Sequence, residues 1–271
     1  MPKVDLICLD LDGTLMHDLM VSPVNHEALE EAQRAGIRVA IVTGRPYVFA
    51  RELMRSKGLT VTVMAANGAQ SVDMKTGEEL ILRRMAPAAA RRLIAYAGEH
   101  GILIHVFTSK GFASSAEDRA ILQYRNVNRG LPPEERMEVV VADHRTLLEN
   151  YGEDALKVTL MEDDPEKLFR LQRELSGEDA QGERSWHNML EFMGRGMCKG
   201  WAVKKLAEKL SIPLERVMAV GDHENDLTMI EAAGVSVAMG NAIDSVKAAA
   251  RHTTLTCLED GVAHAIRRWA L

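Results

Sequence analysis

Val4-Asp5-Leu6-Ile7-Cys8-Leu9-Asp10-Leu11-Asp12-Gly13-Thr14 is a mostly apolar run that ends in two carboxylates one residue apart, followed by a glycine. A run of this kind suits a strand buried on both faces of a parallel sheet. Ligands of open α/β sheets sit just beyond the carboxyl ends of such strands, so the two acids stand where chemistry is expected. Side chains alternate faces along a strand, so Asp10 and Asp12 point the same way if the strand continues, and Gly13 lets the chain turn tightly around them. Two close carboxylates repel each other. Holding both ionised calls for a cation between them, and a hard, oxygen-preferring ion such as Mg²⁺ fits carboxylate and carbonyl ligands. The plainer alternative is a strand followed by an Asp-Gly turn, which is itself a common turn signal.

Three further segments supply matching pieces in order. Residues 37–42, Ile-Arg-Val-Ala-Ile-Val, form a second apolar run that ends in Thr43-Gly44-Arg45-Pro46, with the proline placed to start a helix. Lys199 opens a helical pattern whose apolar positions, Trp201, Val203, Leu206, Ala207 and Leu210, roughly follow helix spacing. Val217-Met-Ala-Val-Gly221-Asp222-His-Glu-Asn225-Asp226 is another short apolar strand that opens into a glycine turn and a cluster of carboxylates and an amide. Acid, hydroxyl, lysine and acid form an inventory for phosphoryl transfer, in which charge on three oxygens must be met by a nucleophile, a metal, a cation and oriented donors.

These four segments together closely resemble the signature of the haloacid dehalogenase superfamily of phosphatases. The resemblance implies Asp10 as nucleophile and Asp12 as general acid and base, first protonating the leaving alcohol and then activating the hydrolytic water. It implies Mg²⁺ held by the Asp10 carboxylate, the Asp12 backbone carbonyl and Asp222, with Asp226 supporting through water or by orienting Lys199. Thr43, Lys199 and Asn225 correspond to the phosphate-binding hydroxyl, ammonium and amide. Gly44 and Arg45 lie beside them, where Arg45 either braces the phosphate pocket or forms a structural salt bridge. An Asp at position 12 favours phosphoryl transfer over dehalogenation, which has no leaving alkoxide to protonate.

Spacing selects a branch of that superfamily. Asp10 and Thr43 are 33 residues apart, enough for a loop, one helix and the next strand, whereas Thr43 and Lys199 are 156 apart. The longer interval completes the sheet edge and leaves roughly 100 residues, a plausible domain size. This resembles the Cof-type family, with a large α/β cap between the second and third motifs. Asn67-Gly68-Ala69, the stretch from Glu191 to Gly200, and Ala238-Met-Gly-Asn241-Ala add smaller matches. The expected fold is therefore α/β, a Rossmann-like parallel sheet core of residues 1–83 plus 190–271 with an inserted α+β cap of residues 84–189.

The alternation of apolar runs and helical patterns agrees with this. Strands are expected near 4–9, 37–42, 61–65, 217–220 and 235–238. Helices are expected near 24–35, 46–57, 200–210, 224–233, 243–250 and 259–269, the rhythm of a parallel sheet covered on both faces. Residues 70–83 read as a hairpin around Lys75-Thr-Gly77-Glu. Pro87 opens a helix that Gly101 stops. Beyond it, strands near 102–107, 137–141, 156–161 and 184–187 and helices near 117–126 and 164–175 make up the cap. Phe107, Lys110, Phe112, Trp186, His187 and Asn188 combine apolar surface with donors near expected strand ends or loops and are the cap candidates for substrate contact, with Lys110, Phe112 and Trp186 expected to set specificity. An aromatic such as Phe107 or Trp186 is more often core, and His105 or His187 more often a structural histidine.

Composition bounds the partners. The 271 residues are 46% hydrophobic with net charge −6, and residues 84–189 carry 14 Lys and Arg against 18 Asp and Glu. With no basic stripe, nucleic acid and anionic membrane surfaces are not expected partners. No apolar run reaches membrane-spanning length. The N-terminal Met-Pro-Lys-Val-Asp lacks the pattern of a signal segment, and a cytoplasmic location is expected. Cys8, Cys198 and Cys257 form neither an even framework nor a metal spacing, so they read as reduced thiols, Cys198 as a small packing residue. Gly194-Arg-Gly196 before Lys199 lacks the spacing and hydroxyl of a nucleotide P-loop.

The leading expectation is a Mg²⁺-dependent phosphatase of small phosphorylated metabolites, sugar phosphates foremost, acting through an aspartyl phosphate as a monomer or small homo-oligomer. The alternatives are a phosphomannomutase-like phosphotransferase and a catalytically silent sensor of phosphorylated ligands. The full set of reactive residues argues against silence, since a pure binder has no need of Asp12.

Overall fold

The computed structural model describes residues 4–271, so the first three residues of the N-terminal stretch read above lie outside the described residues. The chain begins with β1 (Leu6–Leu9), α1 (Pro23–Arg34), β2 (Arg38–Val42), α2 (Tyr47–Ser56), β3 (Thr62–Ala65), β4 (Gln70–Asp73) and β5 (Glu79–Leu82). Next come α3 (Pro87–His100), β6 (Leu103–Phe107), β7 (Gly111–Ser114), α4 (Arg119–Arg129), β8 (Glu138–Val141) and α5 (His144–Tyr151). They are followed by β9 (Lys157–Met161), α6 (Pro165–Leu175), β10 (Ala180–Trp186) and β11 (Met189–Gly194). The last part holds α7 (Lys199–Lys209), β12 (Val217–Gly221), α8 (Leu227–Ala232), β13 (Val235–Ala238), α9 (Asp244–Ala249), β14 (His252–Thr253) and α10 (Gly261–Trp269).

The core sheet has eight strands in the order β14-β13-β12-β1-β2-β3-β4-β5. All neighbours from β14 to β3 pair in parallel, and β4 and β5 extend the sheet as the expected hairpin. The strand β1, Leu-Ile-Cys-Leu, is buried along its whole length, as a central parallel strand covered on both faces requires. The fold is an α/β core of Rossmann type with an inserted α+β cap. The cap sheet has six strands in the order β10-β11-β9-β6-β7-β8. Leu93 and Ile94 of α3, Leu147 of α5, and Leu168 and Leu171 of α6 cover one of its faces, packed on Ile104, Val158, Leu160, Leu190 and Phe192.

The cap differs from its sequence outline in three ways. Its last hairpin is longer than the strand expected at 184–187, and β11 carries the cap sheet to Gly194 rather than stopping at residue 189. The reason is that β10, Ala-Gln-Gly-Glu-Arg-Ser-Trp, is an edge strand with no apolar alternation. Strand β7 and helix α5 have no counterpart in the sequence pattern: β7 is a short Gly-led strand buried throughout, and the 8-residue α5 buries Leu147 alone, too little for a helical period to show. In the core, the helix expected over 224–233 is a 3₁₀ turn, Glu224–Asp226, followed by α8.

Core and cap share one apolar cluster. Phe107, Phe112, Ile121 and Tyr124 of the cap join the core residues around Phe49. Tyr124 of α4 meets Phe49 of α2 edge-on at 5.6 Å, and Phe112 meets Tyr124 at 4.8 Å. Arg55 of α2 adds a hydrogen bond of 2.9 Å to the Glu135 carboxylate.

Candidate active site

The strand β1 lies between β12 and β2, so the chain leaves it in one direction to β2 and returns on the other side at β12. Their carboxyl ends lie side by side, Leu9 being in register with both Val220 and Ile41. Asp10, Thr43 and Asp222 are thereby gathered at the topological switch point of the sheet, where α/β proteins bind ligands. Lys199 is delivered by the first position of α7, whose N-terminus is capped by Cys198: its Sγ accepts from the Trp201 amide at 3.4 Å. Cys198 is thus a cap.

Lys199 Nζ donates to Asp10 Oδ1 at 2.6 Å and to Asp226 Oδ1 at 2.6 Å, and all three side chains are buried. Asp226 Oδ2 accepts from the amides of Asp222 at 2.9 Å and His223 at 3.0 Å. Asp226 therefore spends both oxygens on orienting its neighbours. Asp10 Oδ2 has no donor among the described residues. Asp222 Oδ1 accepts from Thr14 Oγ1 at 3.0 Å. Asn241 Nδ2 donates to the Gly13 carbonyl at 2.9 Å, and its longer contact to Asp222 Oδ2 is 3.4 Å.

The electrostatics are those of too many carboxylates for one ammonium. Burial, then Asp226, pushes the Asp10 carboxyl above its ordinary range against the pull of Lys199. Burial, then Asp226, also pushes Asp222 up to about 7. Burial alone would lower Lys199, but the carboxylates of Asp10 and Asp226 outweigh it and keep the ammonium charged.

Asp10, Asp222 and Asp226 each present an oxygen within 4.8 Å of the others, and with Asp226 committed to Lys199 and the backbone, the oxygens of Asp10 and Asp222 suit a hard divalent cation. The turn is shaped around it. Gly13 has φ +82°, and a Cβ there would lie 2.5 Å from Asp222 Oδ2, so only glycine leaves that oxygen in place.

Asp12 stands apart from this group. Arg45 Nε donates to Asp12 Oδ2 at 2.9 Å and Arg45 Nη2 to Asp12 Oδ1 at 2.8 Å, a two-point fork, while Nη1 donates to Gln123 of α4 at 2.9 Å. Arg45 also lies over the Phe49 ring at 5.0 Å. Thr43 is buried, and its Oγ1 accepts from the Arg45 amide at 3.1 Å. Asn225, in the 3₁₀ turn, is also buried beside Asp226.

A second buried charge pair, absent from the sequence reading, ties the cap to the loop after β2 that carries Thr43 and Gly44. Lys157 Nζ donates to Glu191 Oε1 at 2.6 Å and to the Gly44 carbonyl at 2.8 Å, and lies 4.1 Å from the Phe107 ring centroid. Glu191 Oε2 accepts from Asn67 Nδ2 at 2.6 Å. Burial pushes the Glu191 carboxyl up, but the ammonium of Lys157 outweighs it and holds the carboxyl below its ordinary value. A Cβ on Gly44 would stand 3.2 Å from Lys157 Nζ, so the glycine admits the ammonium. The sequence signal was present: Lys157 and Glu191 are charges inside strands whose neighbours are apolar.

The expected specificity residues divide. Trp186 is 53% exposed, its ring 6.5 Å from that of His223 beside Asp222. Lys110 is exposed in the β6–β7 turn, where the adjoining Ser109 carbonyl accepts from Gln70 of the core at 3.4 Å. Phe112 is 2% exposed and packed among Phe107, His105 and Tyr124, which places it in the core–cap junction rather than on the cleft surface. Phe107 is buried in the same cluster, and buried His105 is bonded to Asp118 at 2.6 Å. Asn188 donates to Asp163 at 2.8 Å at the hairpin tip, and His187 is exposed next to Trp186.

Residues 7–266 match the haloacid dehalogenase-like hydrolase family. The chain is similar to a 5-amino-6-(5-phospho-D-ribitylamino)uracil phosphatase of Bacillus subtilis, 34% identical over 269 residues that span 99% of this chain and 96% of that protein. It is similar to a pyridoxal phosphate phosphatase of Escherichia coli, 31% identical over 247 residues that span 90% of this chain and 91% of that one. The solved structure of a haloacid dehalogenase-like hydrolase from Bacillus subtilis shares the fold with TM-score 0.87 at 30% identity, over 98% of this chain and 100% of that chain.

Proposed function

The chain belongs to the haloacid dehalogenase-like hydrolase family, as a phosphoric monoester hydrolase of its Cof-type branch, and we propose that it hydrolyses small phosphorylated metabolites with Mg²⁺ through an aspartyl phosphate. The observation that carries this reading is the clamp of Lys199 on one oxygen of Asp10, which leaves Oδ2 as an oriented nucleophile at the switch point of the sheet.

Asp10 Oδ2 attacks phosphorus, and the bond from phosphorus to the leaving oxygen breaks as the acyl phosphate forms. Lys199, Thr43 and Asn225 hold the phosphoryl oxygens, whose charge is the main demand of the transition state. Asp12 gives its proton to the leaving oxygen, then takes one from the water that attacks phosphorus and frees Asp10. Because Arg45 covers both oxygens of Asp12, Asp12 exchanges that partner for the leaving oxygen before any proton moves. Mg²⁺, held by Asp10, Asp222 and the Asp12 main-chain carbonyl, would neutralise charge between the carboxylates and the phosphoryl group. Asp226 orients Lys199 and the Asp222 backbone.

The core site meets only the phosphoryl group, so the leaving group is read by residues of the cap and of the loops facing it. The names of two relatives specify 5-amino-6-(5-phospho-D-ribitylamino)uracil and pyridoxal phosphate, and sugar phosphates share with the former a monoester on a hydroxylated chain. Turnover of a panel of sugar phosphates, those two compounds and p-nitrophenyl phosphate, in Mg²⁺ and in excess EDTA, tests the reading. We expect hydrolysis of panel members in Mg²⁺ and its loss in EDTA. Failure of every member in Mg²⁺ would overturn it.

A further inference from the structure

Glu183, at the centre of β10, is opposite Glu191 of β11, which is opposite Thr159 of β9, which is opposite His105 of β6. These four share the cap-sheet face turned away from its helices, since their neighbours Ile104, Val158, Leu160, Leu190 and Phe192 fill the cluster under α3, α5 and α6. That face looks at the core, because Glu191 accepts from Asn67 across the junction at 2.6 Å. Two contacts set β10 over the 3₁₀ turn that carries Asn225 and Asp226. Arg184 Nη2 lies 3.1 Å from the Glu224 carboxylate, and the Trp186 ring lies 6.5 Å from that of His223.

His105, Glu191 and Arg184 all have partners. Glu183 has none among the described residues, although it is only partly exposed. Burial, then Glu191, pushes its carboxyl up to about 7, with Lys199 opposing and Glu224 and Asp226 adding, so it stands within the field of the catalytic lysine and aspartate. A half-buried carboxylate without donors is unfavourable until a ligand supplies them.

We propose that Glu183 reads the leaving group, accepting hydrogen bonds from its hydroxyl or N–H donors and excluding leaving groups that carry a second anion. This rests on the phosphatase reading and adds the substrate class: monoesters of neutral or cationic, donor-rich alcohols. The exclusion follows from charge, since Glu191, Glu224 and Asp226 are each paired with a cation, which leaves Glu183 as the uncompensated carboxylate that a second anion would meet. The selection follows from the asymmetry of polar sites, which reject an analogue that leaves a buried acceptor unpaired.

The experiment compares the full-length chain and its Glu183→Gln and Glu183→Asp variants in Mg²⁺, with p-nitrophenyl phosphate, ribitol 5-phosphate and 3-phosphoglycerate as probes. For Glu183→Gln, kcat/KM for ribitol 5-phosphate relative to p-nitrophenyl phosphate falls about tenfold, mainly through KM, and the same ratio for 3-phosphoglycerate rises about tenfold. Glu183→Asp keeps the charge and therefore the discrimination against 3-phosphoglycerate. Both ratios within about twofold of the parent chain in Glu183→Gln would mean that bulk water serves the carboxylate, and would overturn the inference while leaving the phosphatase reading intact. A parent chain that prefers 3-phosphoglycerate to ribitol 5-phosphate overturns it as well. Absence of turnover of all three probes, and of the rest of the phosphorylated panel, in the parent chain overturns the phosphatase reading, and this inference with it.

Discussion

Lys157 of the cap and Gly44 of the core are joined by a fully buried ammonium that donates to the Gly44 carbonyl at 2.8 Å while pairing with Glu191 at 2.6 Å. Gly44 follows Thr43, so the loop that carries the candidate phosphate-binding hydroxyl is held from the cap side. Removing one member of a buried pair leaves the other uncompensated.

Lys157→Met is accordingly expected to destabilise the chain by about 3–5 kcal/mol, measured by urea denaturation. Adding Glu191→Leu should recover only part of that loss, because it removes the acceptor of Asn67. A loss below about 1 kcal/mol for Lys157→Met would contradict the reading of the pair.

The two N-terminal aspartates should separate kinetically. Asp10→Asn removes the nucleophile and should lower turnover on the order of 10³-fold or more. Asp12→Asn should cost more with sugar phosphates, whose alkoxide leaving groups need a proton, than with p-nitrophenyl phosphate, which needs none. Equal penalties on both substrates would count against Asp12 as the acid.

Metal binding should depend on pH with a definite sign. Burial and Asp226 raise the Asp222 carboxyl from 3.8 to about 7, so its contribution to stability is full below its unfolded value and is lost as pH rises through 7. At pH about 8 a divalent cation meets a carboxylate that needs one, whereas at pH about 6 it must displace a proton. The rise in Tm caused by Mg²⁺, followed by differential scanning fluorimetry, should therefore be larger at pH 8 than at pH 6. The reverse order would rule out Asp222 as a ligand titrating in this range.

Gly13→Ala tests the shape of the turn. Its Cβ would stand 2.5 Å from Asp222 Oδ2 at a φ of +82°, so the Asp222 carboxylate must move. Mg²⁺ affinity, measured by calorimetry, should fall about tenfold or more, since metal ligands tolerate little displacement. Unchanged affinity in a folded variant would show that Asp222 lies outside the metal site.

Phe112 and Trp186 should behave oppositely. Phe112→Ala opens a cavity in the shared cluster and should cost about 3–5 kcal/mol in denaturation experiments. Trp186→Ala removes a half-exposed ring, should cost less than about 1 kcal/mol, and should change the ranking of substrates by kcat/KM. A stability loss at Trp186 as large as that at Phe112 would show that its ring is packed in the core.

The core was legible because its chemistry is local. Asp10, Thr43 and Asp222 each close an apolar run, and a glycine or proline marks each turn, so strand, turn and acid can be read within a dozen residues. Pairing between those segments follows from the few topologies open to parallel strands with helical crossovers. Arg45 illustrates the limit. Its place beside Thr43 was visible, but whether it braced phosphate or formed a salt bridge depended on Asp12, 33 residues earlier, and on Gln123, 78 residues later.

By itself the sequence determined the strand ends, the order of the acid, hydroxyl, lysine and acid, and the presence of a large insert, because strand periodicity and turn chemistry act over neighbouring residues. Tertiary structure alone decided which insert residues face the cluster of Asp10, Asp222, Asp226 and Lys199. Phe112 is turned into the core–cap junction, and Glu183 is set opposite Glu191 by the register of two antiparallel strands. A slip of one residue in that register would reverse every side chain, and the burial of Leu190 and Phe192 under the cap helices, together with the hairpin turn, holds the register.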